Sequence, residues 1–204
     1  MTRARGTLRR RLVAVAAACI LAVLGPGHVE PQTPDLVGQG RQALDANRVD
    51  EALALFERAV AADATNAAAL AWLGSAQVRK AARAPGVEGA GWVKRGFDTL
   101  DEAVERFPDA FVVYVVRGST ATRVPDLFRK ADVAVKDLTR VVAMKDTRPA
   151  SVPDAVMPIV YLNLGLAYKR TGQPAAARAA WEKAKALYPA APEIPAIDRE
   201  LRSL

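Results

Sequence analysis

The chain has 204 residues, 51% hydrophobic and 25% charged, with aromatics at 6% and a formal net charge of +7. That balance fits a soluble globular domain with a core, and abundant alanine beside few aromatics suits packed helices better than sheets. Five arginines (Arg3, Arg5, Arg9, Arg10, Arg11) precede the first acid, Glu30; without them 24 basic groups face 22 acidic ones, too small an excess for a nucleic-acid binder, which must displace many phosphate counterions.

The basic start leads into an uncharged apolar run, Leu12 to Leu24, and then Gly25-Pro26-Gly27. This is the layout of a secretory signal, so residues 1–27 are expected to be a cleaved signal peptide. Thirteen helical residues span about 20 Å, short of the roughly 30 Å of a bilayer core. An uncleaved N-terminal anchor is the alternative. Lipidation of Cys19 in Ala16-Ala17-Ala18-Cys19 is another, weakened because apolar residues continue to Leu24. Cys19 is the only cysteine, so removal of the signal leaves a protein without disulfides, in keeping with a periplasmic helical domain. Residues 28–34 read as a linker, since Pro31 and Pro34 exclude a helix.

From Asp35 the apolar spacing is helical. A first hairpin, Asp35 to Asn66, is marked by Gly40, Ala52, Phe56 and Ala59, with Asn47 at its turn. Gly74 opens a second with Leu70, Trp72 and Leu73. Residues 81–91 interrupt it as a glycine-rich insertion expected to be a flexible loop, and the second helix resumes at Trp92 with Gly96, Leu100 and Ala103 before Pro108. The third hairpin is predicted as helices from Phe111 to Arg123 and from about Pro125 to Lys145. Its second helix places Ala134, Leu138 and Val141 on one face, in a register ambiguous by three residues. Valines in Phe111 to Val116 leave a strand as an alternative there. Residues 146–154 form a second insertion. The fourth hairpin carries Tyr161, Leu164, Gly165, Tyr168, Gly172, Ala177, Trp181, Ala184 and Pro189, and Pro192 to Leu204 can form a final helix covering the last hairpin.

The order around Gly165, repeated around Gly40 and more loosely around Gly74 and Gly118, resembles the tetratricopeptide repeat, a 34-residue helix-turn-helix unit. The resemblance implies an all-α solenoid of about four hairpins plus a C-terminal capping helix over residues 35–204, and a protein that holds another protein. More loosely, Val116-Arg117-Gly118 with Val124-Pro125, Phe128 and Ala134 to Asp137 resembles a group of bacterial repeat proteins, a likeness that carries no function. In the family the first helix of each hairpin lines a groove. Carried over, the groove positions include Arg41, Ser75, Arg79, Ser119, Arg123, Leu166, Lys169 and Arg170. Arg79, Arg123 and Arg170 hold one position in three successive repeats, which suggests a ladder for the carboxylates of an acidic peptide. Cations closing the ends of their helices explain the same residues without a partner. The family's chaperone-binding carboxylate clamp is not expected, because Val37, Ala71, Val115 and Leu162 stand at one of its positions.

Catalysis finds little support. The only histidine, His28, falls in the linker, and H-E-x-x-H, paired C-x-x-C, G-x-S-x-G and phosphate-loop patterns are missing. Carboxylate pairs such as Asp50-Glu51 and Asp101-Glu102 are expected to face solvent. The expectation is a non-catalytic interaction or assembly module of the bacterial cell envelope without a cofactor. A membrane-tethered structural component is one alternative. A small-ligand binder or enzyme is the other, for which residues 81–91 and 146–154 would have to fold together over a polar concavity.

Overall fold

The computed structural model describes residues 35–204. Among them are nine helices: α1 (Leu36–Asp45), α2 (Val49–Ala62), α3 (Ala67–Lys80), α4 (Gly86–Arg106), α5 (Phe111–Ala121), α6 (Ala131–Thr147), α7 (Met157–Arg170), α8 (Pro174–Leu187) and α9 (Ile194–Arg202). Short polar side chains start two of them. Asp35 accepts the Gly38 N–H at 2.8 Å, and Asn66 accepts the Ala69 N–H at 3.0 Å, each satisfying an otherwise orphan donor. The turns of the outer hairpins need a left-handed residue, and Asn47 (φ 57°) and Gly172 (φ 73°) supply it. The expectations on residues 1–34 (signal, anchor, Cys19, linker) lie outside the described residues.

Consecutive helices pair as four hairpins. The first helix of each packs on both helices of the hairpin before it, and α9 lies on α8 and α7. Each hairpin is locked by a socket in its first helix and a large side chain from its second. A Cβ on Gly40 would lie 2.5 Å from the Phe56 ring, and one on Gly165 only 2.1 Å from Trp181 Nε1. Gly74 and Gly118 meet Leu100 and Leu138 in the same way, each at 2.8 Å. Phe56, Leu100, Leu138 and Trp181 are fully buried, each contributing about 2–3 kcal/mol of hydrophobic burial. Trp181 also donates its indole N–H to the Leu162 carbonyl at 3.1 Å, and no buried side-chain polar atom is left unpaired among the described residues.

These sockets settle the third hairpin. Leu138 fills the Gly118 socket, with Ala134 and Val141 buried one turn to either side, so the register is fixed. From socket to filling residue, the outer hairpins run sixteen residues, the second twenty-six and the third twenty. The third hairpin therefore holds four surplus residues in its turn, and its long step to the fourth divides between that turn and residues 146–154.

The helix predicted from Phe111 forms as α5, and the strand alternative over Phe111 to Val116 fails, because Val113, Tyr114 and Val116 bury one helical face against neighbouring helices. Two expectations need correction. The second helix of the third hairpin begins at Ala131, not near Pro125; residues 126–128 form a 3-10 turn and Arg129 turns left-handed at φ 52°. Residues 81–91 are not a loop. Residues 81–83 make a 3-10 turn, and α4 starts at Gly86, six residues ahead of the predicted Trp92. Packing overrides the poor helix propensity of glycine here: Gly89 is buried under the Ala84 carbonyl, where a Cβ would come within 2.6 Å. Residues 146–154 are also ordered, with 3-10 turns around a fully buried Val152 and the Lys145 ammonium donating to the Pro149 and Val152 carbonyls at 2.9 Å each.

An ion pair inside the third hairpin escaped the sequence. Arg117 donates from Nε and Nη2 to the two oxygens of Asp137 at 2.7 and 2.8 Å, and from Nη1 to Asp101 at 2.7 Å. Asp137 is 1% exposed. Burial pushes its carboxyl above the usual carboxylate range, and its charge is held chiefly by the Arg117 fork, with a smaller contribution from the Lys136 charge. Asp101 is thus tied to a neighbouring helix rather than merely solvated, as is Asp50 through its ion pair with Lys80.

Candidate functional site

The two lengthened turns meet. A cavity of about 780 Å³ opens at the C-terminal ends of α3 and α5. Ser75, Val78 and Arg79 of α3 form one side, and Thr120 and Arg123 at the end of α5 form another. The start of α4 (Gly89, Ala90, Val93), the turn residues Val124, Pro125, Leu127 and Phe128, and Arg83 with Asn47 complete the wall. Both lengthened turns are tied down. Arg83 donates to the Asn47 carbonyl across the first hairpin's turn. On the opposite side Arg170 donates from Nη1 to the Thr122 carbonyl and from Nη2 to the Val124 carbonyl, each at 2.8 Å, and from Nε to Asp126 at 2.9 Å. Leu127 at the cavity and Val87 on the first turn of α4 stay 75% and 91% exposed.

The groove residues named from the sequence part company here. Ser75, Arg79 and Arg123 line the cavity. Ser75 accepts from the buried Thr120 hydroxyl at 2.9 Å, joining α3 to α5. Among the described residues neither Arg79 nor Arg123 has an ion pair or a side-chain hydrogen bond. Their charges oppose each other: loss of water around the Arg123 guanidinium, then the Arg79 charge, push its pKa below the usual arginine value, and Asp45 offsets part of this. The other five are elsewhere. Arg41 lies over the Trp72 ring, 5.2 Å from its centroid. Ser119 accepts from the Asn163 amide at 3.0 Å between α5 and α7, and Leu166 is half-buried against the core. Lys169 fastens α9 through Glu200 at 2.9 Å and the Ser203 hydroxyl at 2.8 Å. Arg170 braces the cavity wall from behind. The expected ladder therefore has two rungs at the cavity, and its third arginine is spent on backbone carbonyls.

Residues 81–91 and 146–154 do not share a concavity. The first borders this cavity together with residues 124–128, whereas the second reaches a separate cavity of about 580 Å³ with Pro158 and residues 187–193. The partner of residues 81–91 was hidden in the sequence because four surplus residues in the third turn are invisible until the register is known. Among the described residues no group of three or more His, Cys, Asp or Glu is placed to hold a metal ion, and no helix is long and apolar enough to cross a membrane.

Residues 158–191 match the family model of the tetratricopeptide repeat. Among solved structures, the chain is similar to TTC0263, a thermophilic TPR protein of Thermus thermophilus, at 22% identity and a TM-score of 0.69, over 86% of this chain and 84% of that one. It is also similar to MamA AMB-1 at 26% identity and a TM-score of 0.52, over 76% of this chain and 78% of that one. A search of curated proteins finds no match. Four socketed hairpins and a capping helix give the described residues an all-α solenoid fold of the tetratricopeptide-repeat kind, and residues 158–191 carry the family's repeat in full.

Proposed function

We propose that this protein is a non-catalytic interaction or assembly module of the bacterial cell envelope, and that it holds an acidic segment of a partner protein at the ends of α3 and α5. The observation that carries this reading is the pair Arg79 and Arg123, two cations on one cavity with no anion paired to either among the described residues. Two like charges brought together are relieved by a carboxylate, which a guanidinium binds through paired, charge-assisted hydrogen bonds. The repeat fold supports the wider role, since stacked hairpins present extended surfaces for other chains. The envelope setting rests on the sequence of residues 1–27, and an intact mass of the mature protein would sort a free chain from a lipidated or anchored one. A small-ligand site is favoured by the cavity volume, which lies within the range of ligand pockets. The exposed Leu127 at the cavity speaks for a larger partner.

The test is the double substitution Arg79→Glu with Arg123→Glu, read by capture of partners from the envelope fraction and by thermal melting. Capture should fall at least about tenfold, the equivalent of about 1.4 kcal/mol, while the melting temperature moves by only a few degrees. Unchanged capture with intact folding would refute the reading.

A further inference from the structure

Resting on that reading of an acidic partner, we infer that the cavity is a specificity pocket for one large apolar side chain, leucine or aromatic, standing next to the carboxylate that Arg79 and Arg123 hold. Three arginines line the cavity, of which Arg83 is engaged with the Asn47 carbonyl, and the Ser75 and Thr120 hydroxyls satisfy each other; much of the remaining wall is apolar, with Val78, Val93, Val124, Leu127 and Phe128 on the one space. An anion alone does not need that surface; an apolar side chain beside an anion uses both parts. The rim argues for a peptide over a small amphiphile. Leu127, 75% exposed at the cavity, loses its water only if the occupant extends past the cavity mouth, as a chain flanking the buried side chain does.

The pocket is also built in advance. Its two walls come from separate hairpins, each lengthened relative to the sixteen-residue outer hairpins. Arg83 pins one wall to the Asn47 carbonyl, and Arg170 pins the other through the carbonyls of Thr122 and Val124. A wall already fixed spares the partner the ordering of that wall on binding. Arg170 is thus a positioning residue for the site and not a contact to the partner.

The experiment is fluorescence anisotropy on the full chain with two labelled peptides, Ser-Gly-Glu-Leu-Glu-Gly-Ser and the same peptide with serine for leucine. Burial of one leucine side chain allows at least about a tenfold difference in Kd, so the leucine peptide should bind about tenfold more tightly. Ala90→Trp, at an exposed position on the cavity wall, should bring the leucine peptide down to the level of the serine peptide and leave the latter unchanged. Leu127→Ser, also exposed, serves as the second variant should Ala90→Trp fail to melt cooperatively, and it should narrow the gap between the peptides. Equal binding of the two peptides, or a gap that survives filling of the pocket, overturns the specificity pocket and leaves the acidic-partner reading standing. Failure of both peptides to bind overturns both. Tighter binding of dodecanoate than of the leucine peptide, blocked by Ala90→Trp, assigns the pocket to a small amphiphile and overturns the inference. So does a dimer that Ala90→Trp dissolves, which would make the occupant a second copy of this chain.

Discussion

The outer and inner hairpins solve the same packing problem and differ in what surrounds it. Hairpins one and four close with single left-handed residues, Asn47 and Gly172, and spend their polar side chains on holding the stack. Hairpins two and three keep the same sockets, Gly74 with Leu100 and Gly118 with Leu138, but carry extra residues in their turns. Those extra residues form the cavity, and beside it sit the two arginines without a paired acid. The contrast teaches that sockets maintain the solenoid while turn length creates the site, so the two should respond to mutation independently.

Breaking a socket should cost most. Trp181→Ala empties a fully buried site, for an expected loss of about 3–5 kcal/mol by denaturant unfolding. Arg117→Ala should rival it at about 3–5 kcal/mol, because Asp137 is left buried without its cation. Lys94→Ala is the control: its i,i+4 pair with Asp98 is exposed, and removal of that pair should cost less than about 1 kcal/mol. If Arg117→Ala were as mild as Lys94→Ala, the inner hairpins would not depend on their buried pair.

Arg170→Ala sharpens the comparison, since it leaves a socket intact and loosens the cavity wall. Lost hydrogen bonds to the Thr122 and Val124 carbonyls predict about 1–3 kcal/mol of destabilisation, together with weaker partner binding. Gly172→Ala tests an outer turn alone. Its left-handed backbone predicts about 1–2 kcal/mol of lost stability, with binding at the cavity unchanged. The smallest effect concerns acid. The hydrogen bond and charge of Lys145 hold the Asp154 carboxyl below its ordinary 3.8. Its contribution is present above that value and fades as pH falls through the lower folded-state value. The melting-temperature gap between the wild type and Asp154→Asn should close as the pH is lowered well below 3.8, and a gap constant with pH would remove Asp154 from the account.

The sequence made the sockets legible because glycine and its filling residue recur at fixed offsets, and Gly165 with Trp181 is the fullest case. The left-handed turns at Asn47 and Gly172 were legible for the same reason. Glycine-rich residues 81–91 misled because local propensity argues for a loop, whereas contact of Gly89 with the Ala84 carbonyl favours a helix. The Arg117–Asp137 pair spans twenty residues and has no periodic signature. Arg79, Arg123 and Arg170 look equivalent in the repeat numbering. Only the path of residues 121–126, set by the surplus in the third turn, turns Arg170 into a brace and leaves the other two at a cavity.

Hydrogen–deuterium exchange on the full chain, with and without the acidic leucine peptide, tests the separation of scaffold and site most directly. Protection should appear in residues 75–93 and 119–128 and leave α8 and α9 unchanged. Protection concentrated in α7 to α9, or absent from both lengthened turns under saturating peptide, would contradict it.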